Sequence, residues 1–297
     1  MTAVEANGIT LEYEESGAAT APAILLVNGL GVQLTWWPEA LIAGLAGAGY
    51  RVLRFDNRDV GLSSRIAGGG MPDLAAAQAR LAAGERPEAP YLLDDMAADA
   101  AALLAALGLD QVHVVGTSMG GMIAQIMAAR HAGRVKSLVS VMSSSGAPCL
   151  PQAAPEVAKA LLAVPESTAR EARIAHGVEL IRVLAGAPGP GDMDALRRHV
   201  ARNLDRADDP AGRARQYLAI LASGSRVELL ASIAQPTTVI HGRDDPLILL
   251  EAGRDTAARI PGARLEIIEG MGHFLAPHLA PALVAAILAH CRAAEAA

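Results

Sequence analysis

The sequence predicts an α/β protein in which a mostly parallel, eight-stranded sheet is flanked by helices and interrupted by an inserted helical segment. Strand-like and helix-like segments alternate through the first half of the chain and again near its end. Short runs such as 24–27 and 113–115 are apolar throughout, which is typical of parallel strands covered on both faces. Since 52% of the 297 residues are hydrophobic, the chain can bury a large core.

The chain begins with a predicted β-hairpin, because Asn7-Gly8 is a strong turn signal and a second strand-like run follows at 9–16. The next segments are predicted as strand 23–28, helix 38–48, strand 51–56, helix 92–107, strand 112–115, helix 119–131 and strand 135–142. The longer connection 63–90 carries a predicted helix at 72–83 and the loop Gly68-Gly69-Gly70, which we expect to border the site.

Residues 146–232, called the insertion below, interrupt this alternation. Prolines divide Ala-, Leu- and Arg-rich helical stretches there, and no clear strand signal occurs. The alternation then returns with strand 237–240, helix 249–260, strand 263–268 and helix 281–292. The sequence therefore predicts a core formed by 1–145 and 233–297 and a helical subdomain at 146–232.

Composition excludes several functions. The net charge is -6 and no basic cluster stands apart from acidic residues, which argues against nucleic acid as a partner. No apolar stretch is long enough to cross a membrane, and the first residues lack the features of a signal peptide, so we expect a cytoplasmic protein. Cys149 and Cys291 form no CxxC motif and no HExxH occurs, so we expect neither a disulfide, a metal nor a cofactor.

The strongest chemical signal is a G-x-S-x-G motif, Gly116-Thr117-Ser118-Met119-Gly120, placed between a predicted strand and a predicted helix. In that setting the serine occupies a tight, strained turn that exposes its hydroxyl, and the glycines leave room for close backbone approach. Ser118 is therefore the candidate nucleophile, and it requires a histidine base.

His273 is the best candidate for that base, because it follows the last predicted strand at the carboxyl end of the sheet, where sites of such sheets lie. His241 ends its own strand and is predicted to be structural, and His278 lies beyond Pro277. Structural or surface roles are predicted for the remaining five, which are His113, His131, His176, His199 and His290. The loop after the preceding strand offers two carboxylates, Asp244 and Asp245, to orient the base.

Cleavage of an acyl bond also needs donors for the developing oxyanion. The N–H of Met119, directly after the nucleophile, is one candidate, and the N–H of Leu30 in the loop Asn28-Gly29-Leu30-Gly31 is the second. The same glycines do not complete a dinucleotide-binding G-x-G-x-x-G motif, because Leu34 stands at its last position.

Together these motifs resemble the α/β-hydrolase superfamily over nearly the whole chain. The resemblance rests on 115–121, on Phe55-Asp56-Asn57-Arg58-Asp59-Val60-Gly61-Leu62-Ser63, on His241-Gly242-Arg243-Asp244-Asp245-Pro246 and on Gly270-Met271-Gly272-His273. The branch that contains aclacinomycin methylesterase and many carboxylesterases is especially similar. Its Gly-x-x-Asp-Pro pattern falls on Asp245 rather than Asp244, whereas Asn28-Gly29 departs from the usual His-Gly.

This resemblance implies a serine carboxylesterase in which Ser118 attacks the ester, His273 transfers the proton and Asp245 orients the imidazole. It also implies that the insertion forms a cap. We expect small or medium apolar esters as substrates, with Gly29, Trp36 and Trp37 as candidate contacts, although either tryptophan could instead pack in the core. Arg58-Asp59 is predicted to brace its loop. The same triad could instead serve carbon–carbon bond hydrolysis, a lactonase or a cofactor-free perhydrolase.

Overall fold

A computed structural model describes residues 2–66, 70–187 and 189–296, so Gly68 and Gly69 of the predicted glycine loop lie outside the described residues. In this part of the chain one sheet contains eight strands in the order β1-β2-β4-β3-β5-β6-β7-β8. Their bounds are β1 Thr2–Ala6, β2 Ile9–Ser16, β3 Ala23–Val27, β4 Arg51–Phe55, β5 Val112–Thr117, β6 Val135–Val141, β7 Thr237–Gly242 and β8 Arg264–Ile268.

The predicted N-terminal hairpin is present. β1 and β2 pair antiparallel with Ala6 opposite Ile9, and both Asn7 and Gly8 between them have positive φ, as this turn requires. β2 also pairs antiparallel with β4, whereas each later neighbour in the sheet pairs in parallel. The predicted fold class, a mostly parallel sheet of the α/β type, is therefore confirmed.

Helices cover both faces of the sheet. The α-helices of the described residues are α1 Glu39–Gly47, α2 Leu74–Ala82, α3 Leu93–Ala106, α4 Met119–Arg130, α5 Pro155–Leu162, α6 Arg170–Leu184, α7 Met193–Arg206, α8 Pro210–Ser223, α9 Val227–Leu230, α10 Leu250–Arg259 and α11 Ala280–Glu295. In β3, Leu25 joins a buried cluster with α3 and α4, and its neighbours Ile24 and Leu26 join a cluster with α1 and α11 on the other face. This alternation explains why the central strands are apolar at every position.

The insertion contains helices α5 to α9 and lies between β6 and β7 in the chain. Its own buried cluster is small and consists of Ile174, Leu196 and Val200. α7 and α8 are instead joined to the loop after β4 by two buried ion pairs, Arg206–Asp56 at 2.7 Å and Arg215–Asp59 at 2.7 Å. Nothing in these contacts tests whether the insertion folds as a separate unit, and that division stays a prediction.

Most element bounds differ from the sequence prediction by one to three residues. The difference that matters for function is β5, which extends to Thr117 rather than ending at 115, so that Ser118 follows the strand directly. Among the described residues, no helix has the length and apolar character needed to cross a bilayer. Cys149 is exposed and Cys291 is buried, and each is a free thiol.

Candidate active site

Ser118 occupies the single residue between β5 and α4, with φ 55° and ψ -121°. A non-glycine residue with positive φ is uncommon and is strained unless its surroundings hold it there. The two flanking glycines make the turn possible, because a Cβ at Gly116 would lie 2.1 Å from the Gly120 carbonyl oxygen. A Cβ at Gly120 would lie 2.1 Å from the oxygen of Val27. The motif therefore has the steric basis that the sequence suggested.

The structure brings the predicted nucleophile, base and acid together, although they are far apart in the chain. His273 Nε2 lies 2.9 Å from Ser118 Oγ, and His273 Nδ1 lies 2.8 Å from Asp245 Oδ2. The Asp245 carboxylate is fully buried and His273 is largely buried. The ring is thus oriented with one nitrogen toward the hydroxyl and the other toward a buried carboxylate.

The two candidate aspartates have different partners. Besides contacting His273, Asp245 accepts hydrogen bonds at Oδ1 from the N–H groups of Leu247 and Ile248, both at 2.9 Å. Asp244 instead accepts a hydrogen bond at Oδ2 from the N–H of Gly270 at 3.0 Å. The geometry therefore favours Asp245 as the partner of the base and gives Asp244 a role in holding the loop that carries His273.

His241 supports the loop that carries Asp245. Its Nε2 donates to the carbonyl of Ile248 at 2.7 Å and lies 3.7 Å from Asp245 Oδ2. Burial lowers the pKa of His241, so the ring is neutral near pH 7. His278 lies in a short 3₁₀ helix at Pro277–Leu279, and no contact joins it to Ser118 among the described residues.

The two candidate oxyanion donors belong to segments that adjoin the serine. Met119 is the first residue of α4, where an N–H has no acceptor in a preceding helical turn. The loop after β3 also approaches the serine, since a Cβ on Gly29 would lie 3.2 Å from Ser118 Cβ. In the described part of the protein the N–H of Leu30 has no acceptor, whereas that of Gly31 donates to Gln216 Oε1 at 2.8 Å.

Although Asn28-Gly29 departs from the usual His-Gly pattern, hydrogen bonds of Asn28 hold this loop in place. Asn28 Nδ2 donates to the carbonyl of Gln33 at 3.1 Å, and the Asn28 carbonyl accepts from Asn57 Nδ2 at 3.1 Å. Both contacts are buried. Amide side chains thus supply the supporting hydrogen bonds that the sequence left open.

A cavity of about 790 Å³ opens above Ser118 and His273 and is bounded on its far side by the insertion. Both tryptophans line it. Trp36 is half-buried and packs edge-on against His199 and Phe274, with ring centroids 4.5 Å and 6.3 Å away. Trp37 is almost fully buried and joins the core cluster of α1 and α11. Trp36 therefore presents more surface to a ligand than Trp37 does.

The insertion also contributes polar side chains to the cavity wall that the sequence did not single out as ligand contacts. They are Gln152, Arg173, His176, Asn203, Asp208, Asp209, Arg213 and Tyr217. The sequence predicts a structural or surface role for His176, and the structure places this residue at the cavity wall. No local motif marks these residues, because their shared surface exists only once the helices have packed.

Arg58 and Asp59 are both buried, but they do not pair with each other. Arg58 forms a bidentate ion pair with Asp99 of α3, in which Nε lies 2.6 Å from Oδ2 and Nη2 lies 2.6 Å from Oδ1. Asp59 binds Arg215 of α8 and accepts a hydrogen bond from the hydroxyl of Tyr91 at 2.7 Å. The predicted brace therefore joins the loop to α3 on one side and to the insertion on the other.

A serine, an aspartate and a histidine in this chain order, at the carboxyl edge of a mostly parallel sheet, define the α/β-hydrolase class. The chain belongs to the alpha/beta hydrolase fold family, whose family model matches residues 22–277. It is similar to rhodomycin D methylesterase DnrP of Streptomyces peucetius, with 31% identity covering 96% of each chain. It is also similar to rhodomycin D methylesterase DauP of Streptomyces sp. strain C5, with 32% identity and the same coverage.

Among solved structures, the fold resembles a mutant of the meta-cleavage product hydrolase CumD from Pseudomonas fluorescens IP01, complexed with acetates. The TM-score is 0.76 at 18% identity, with 99% of this chain and 98% of that chain covered. These comparisons confirm the predicted superfamily and the predicted resemblance to its methylesterase branch.

Proposed function

We propose that the protein is a serine carboxylesterase that hydrolyses small or medium carboxylic esters with an apolar body. The observation that carries this proposal is the hydrogen-bonded series from Asp245 through His273 to Ser118 at the wall of a large cavity. The two methylesterase relatives, similar over almost their whole length, support ester hydrolysis.

In the proposed mechanism, Ser118 Oγ attacks the ester carbonyl while His273 Nε2 accepts the hydroxyl proton. The oxyanion that forms is bound by the N–H groups of Leu30 and Met119. His273 returns the proton to the departing alcohol, which leaves an acyl group on Ser118. Water then attacks this acyl group with His273 as base, and the carboxylic acid and free Ser118 are released. Asp245 holds the imidazole and stabilises its cationic form throughout.

The cavity supports the substrate class. Its volume of about 790 Å³ lies in the range of drug-sized ligand pockets. Most of its lining consists of Leu, Ile, Ala, Met and Val side chains, including Met122, Leu180 and Leu184. Esters with a medium-sized apolar part therefore fit better than highly polar ones.

The test is hydrolysis of a p-nitrophenyl ester chain-length series by the wild type and by Ser118→Ala, with folding checked by circular dichroism. We expect turnover that is lost in Ser118→Ala and kept in Ser232→Ala. Ser232 is an exposed serine in the turn between α9 and β7. A fluorophosphonate should label the wild type and Ser232→Ala but not Ser118→Ala. Turnover that persists in Ser118→Ala would contradict the proposal.

A folded wild type that hydrolyses no ester would turn attention to the other reactions open to this triad. Assays with lactones, with vinylogous diketones and with peroxide-dependent halogenation would then separate a lactonase, a carbon–carbon bond hydrolase and a perhydrolase. Each of these outcomes would replace the esterase proposal.

A further inference from the structure

Arg213 differs from the other arginines that lie between the insertion and the core. Arg58, Arg206 and Arg215 each pair with a buried carboxylate, and Arg226 donates to three neutral oxygen acceptors. Among the described residues, the Arg213 guanidinium has no ion pair and makes one hydrogen bond, from Nη2 to the carbonyl of Leu161 at 2.9 Å. A guanidinium has five N–H donors, so most of its donors remain free.

The position of Arg213 places this free charge in the catalytic cavity. Its side chain lies on the wall of the cavity and remains half-buried. Its aliphatic stem crosses Gly31, because a Cβ on Gly31 would lie 2.8 Å from Cγ and 2.9 Å from Cδ of Arg213. Gly29, two residues earlier in the same loop, contacts Ser118. The Cα atoms of residues two apart in a chain, such as Gly29 and Gly31, are at most about 7 Å apart. The stem of Arg213 over Gly31 therefore lies near the reacting serine.

The carboxylates of the same wall already have partners. Asp208 forms an ion pair with Arg173. Asp209 accepts from the N–H of Gly212 at 3.0 Å and lies 3.4 Å from Arg215 Nη2. His176 is neutral near pH 7, since burial and then the nearby charge of Arg213 lower its pKa. The uncompensated positive charge of this region therefore belongs to Arg213.

Burial also lowers the pKa of the Arg213 guanidinium. Hydrogen bonding to Asp59 instead raises the pKa of Arg215, which lies two residues further along α8. Arginine nevertheless stays charged in proteins. A charge removed from bulk water without an opposite charge is destabilising unless a ligand supplies one. A planar guanidinium matches the two oxygens of a carboxylate.

We propose that Arg213 binds a carboxylate of the substrate, so that the preferred esters are half-esters of dicarboxylic acids with an apolar chain between the two ends. This inference rests on the proposed function of the Ser118 site. Arg213 then acts as a substrate-binding residue, and it aligns the ester carbonyl at Ser118 by holding the far end of the same molecule. The hydrolysis product is a dicarboxylate.

The first test compares monomethyl adipate, which carries a carboxylate, with the neutral methyl hexanoate, and follows methanol release. We expect kcat/KM for monomethyl adipate to fall roughly 10- to 100-fold in Arg213→Met, which keeps the stem over Gly31, and less in Arg213→Lys. The value for methyl hexanoate should change less than about threefold. Arg182→Met, which removes an exposed guanidinium from α6, is the matched control and should leave both values unchanged.

Equal losses for both esters in Arg213→Met would overturn the inference, because they would show that Arg213 only braces the end of α5 through Leu161. A second measurement does not depend on turnover. Both tryptophans of the chain line the cavity, so their fluorescence reports its occupancy. Monomethyl adipate should bind Ser118→Ala saturably, and Ser118→Ala combined with Arg213→Met should bind it roughly 10- to 100-fold more weakly.

These two measurements separate the failure of the inference from the failure of the proposed function. If esters are hydrolysed but neither turnover nor binding of monomethyl adipate depends on Arg213, the carboxylate site is wrong and the esterase stands. If monomethyl adipate binds through Arg213 but no ester is hydrolysed, the carboxylate site stands and the esterase proposal is wrong.

Discussion

The two walls of the cavity are built in different ways. On the core side, Ser118, Gly29 and His273 follow strands of one sheet, and their backbone positions are held by strand pairing and close packing. On the side of the insertion, the wall consists of helices with a buried cluster of only three residues. Those helices are held to the core by polar contacts such as Arg215–Asp59 and Gln216–Gly31, and by apolar residues such as Ala219 and Leu230 that join a core cluster.

The two walls therefore have different tasks. The reacting groups need positions accurate to a fraction of an ångström, which a packed sheet provides. The opposite wall needs a shape and a charge that suit one substrate, and it can change without disturbing the triad. We therefore expect changes in the core wall to alter the rate for all substrates and changes in the wall of the insertion to alter selectivity or stability.

The largest expected effect is that of His273→Ala. Loss of the base should reduce kcat for every ester by about 10⁴- to 10⁶-fold while the protein remains folded, because the triad acts as a unit. Steady-state kinetics with several esters, together with thermal unfolding, would check this. A loss confined to one ester would mean that His273 contributes to binding rather than to the reaction.

Asp245→Asn should be nearly as damaging, with a loss of about 10⁴-fold in kcat, because an amide no longer favours the tautomer and orientation that His273 needs. Asp244→Asn is the matched control, since it changes the neighbouring carboxylate that contacts the N–H of Gly270. We expect only a small loss there. If Asp244→Asn proved the worse variant in the same assay, the assignment of the acid would be wrong.

The Arg215–Asp59 ion pair, which joins the two walls, should contribute strongly to stability. Arg215→Met leaves Asp59 buried with no opposite charge, and such a change typically costs about 3 to 5 kcal/mol. Urea unfolding would measure it. Arg170→Met, which breaks an exposed ion pair with Asp205 on the outside of the insertion, should leave the unfolding midpoint unchanged. Similar midpoints for the two variants would show that the Arg215–Asp59 ion pair does not hold the insertion to the core.

The serine turn should not tolerate a larger residue. Gly120→Ala places a Cβ against the oxygen of Val27, so we expect about 1 to 3 kcal/mol of destabilisation and loss of activity as the turn shifts. Gly133→Ala is the control, because a Cβ there meets no atom within 4 Å. Denaturant unfolding and ester turnover would be measured on both variants. Full activity in Gly120→Ala would show that the turn has more room than its backbone contacts indicate.

The smallest expected change in stability at neutral pH is that of replacing His290, a buried residue of α11. Burial lowers the pKa of His290 to about 4, and its Nδ1 lies 2.9 Å from the hydroxyl of Thr238. The unfolded chain therefore binds more protons than the folded protein between about pH 6.5 and 4. Stability should fall as the pH drops through this range, by up to about 3 kcal/mol from this residue.

His290→Leu should flatten this part of the pH profile while changing stability at pH 7 much less. Urea unfolding of the wild type and the variant between pH 4 and 7 would check it. The lowered pKa values of His113 and His241 act in the same direction, so the variant should reduce the slope without removing it. An unchanged slope would contradict the assignment to His290.

Local sequence was sufficient for the alternation of strands and helices, the hairpin at Asn7-Gly8 and the strained turn at Ser118. These features depend on neighbouring residues, through turn geometry, hydrophobic periodicity and the room that glycines leave. The order of Ser118, Asp245 and His273 in the chain was also informative, because in this class of sheet each follows a strand whose carboxyl end lies at the same edge.

Only the tertiary structure decided which charges meet. The adjacent residues Arg58 and Asp59 suggest one local brace, but their partners Asp99 and Arg215 come from distant helices. In the same way, the sequence does not distinguish Arg213 from the other arginines, because its lack of a carboxylate partner follows from how α8 packs over Gly31. Nearest-neighbour sterics determined the reacting turn, whereas long-range packing determined the charge of the cavity, because ion pairs form between whichever groups the folded helices bring together.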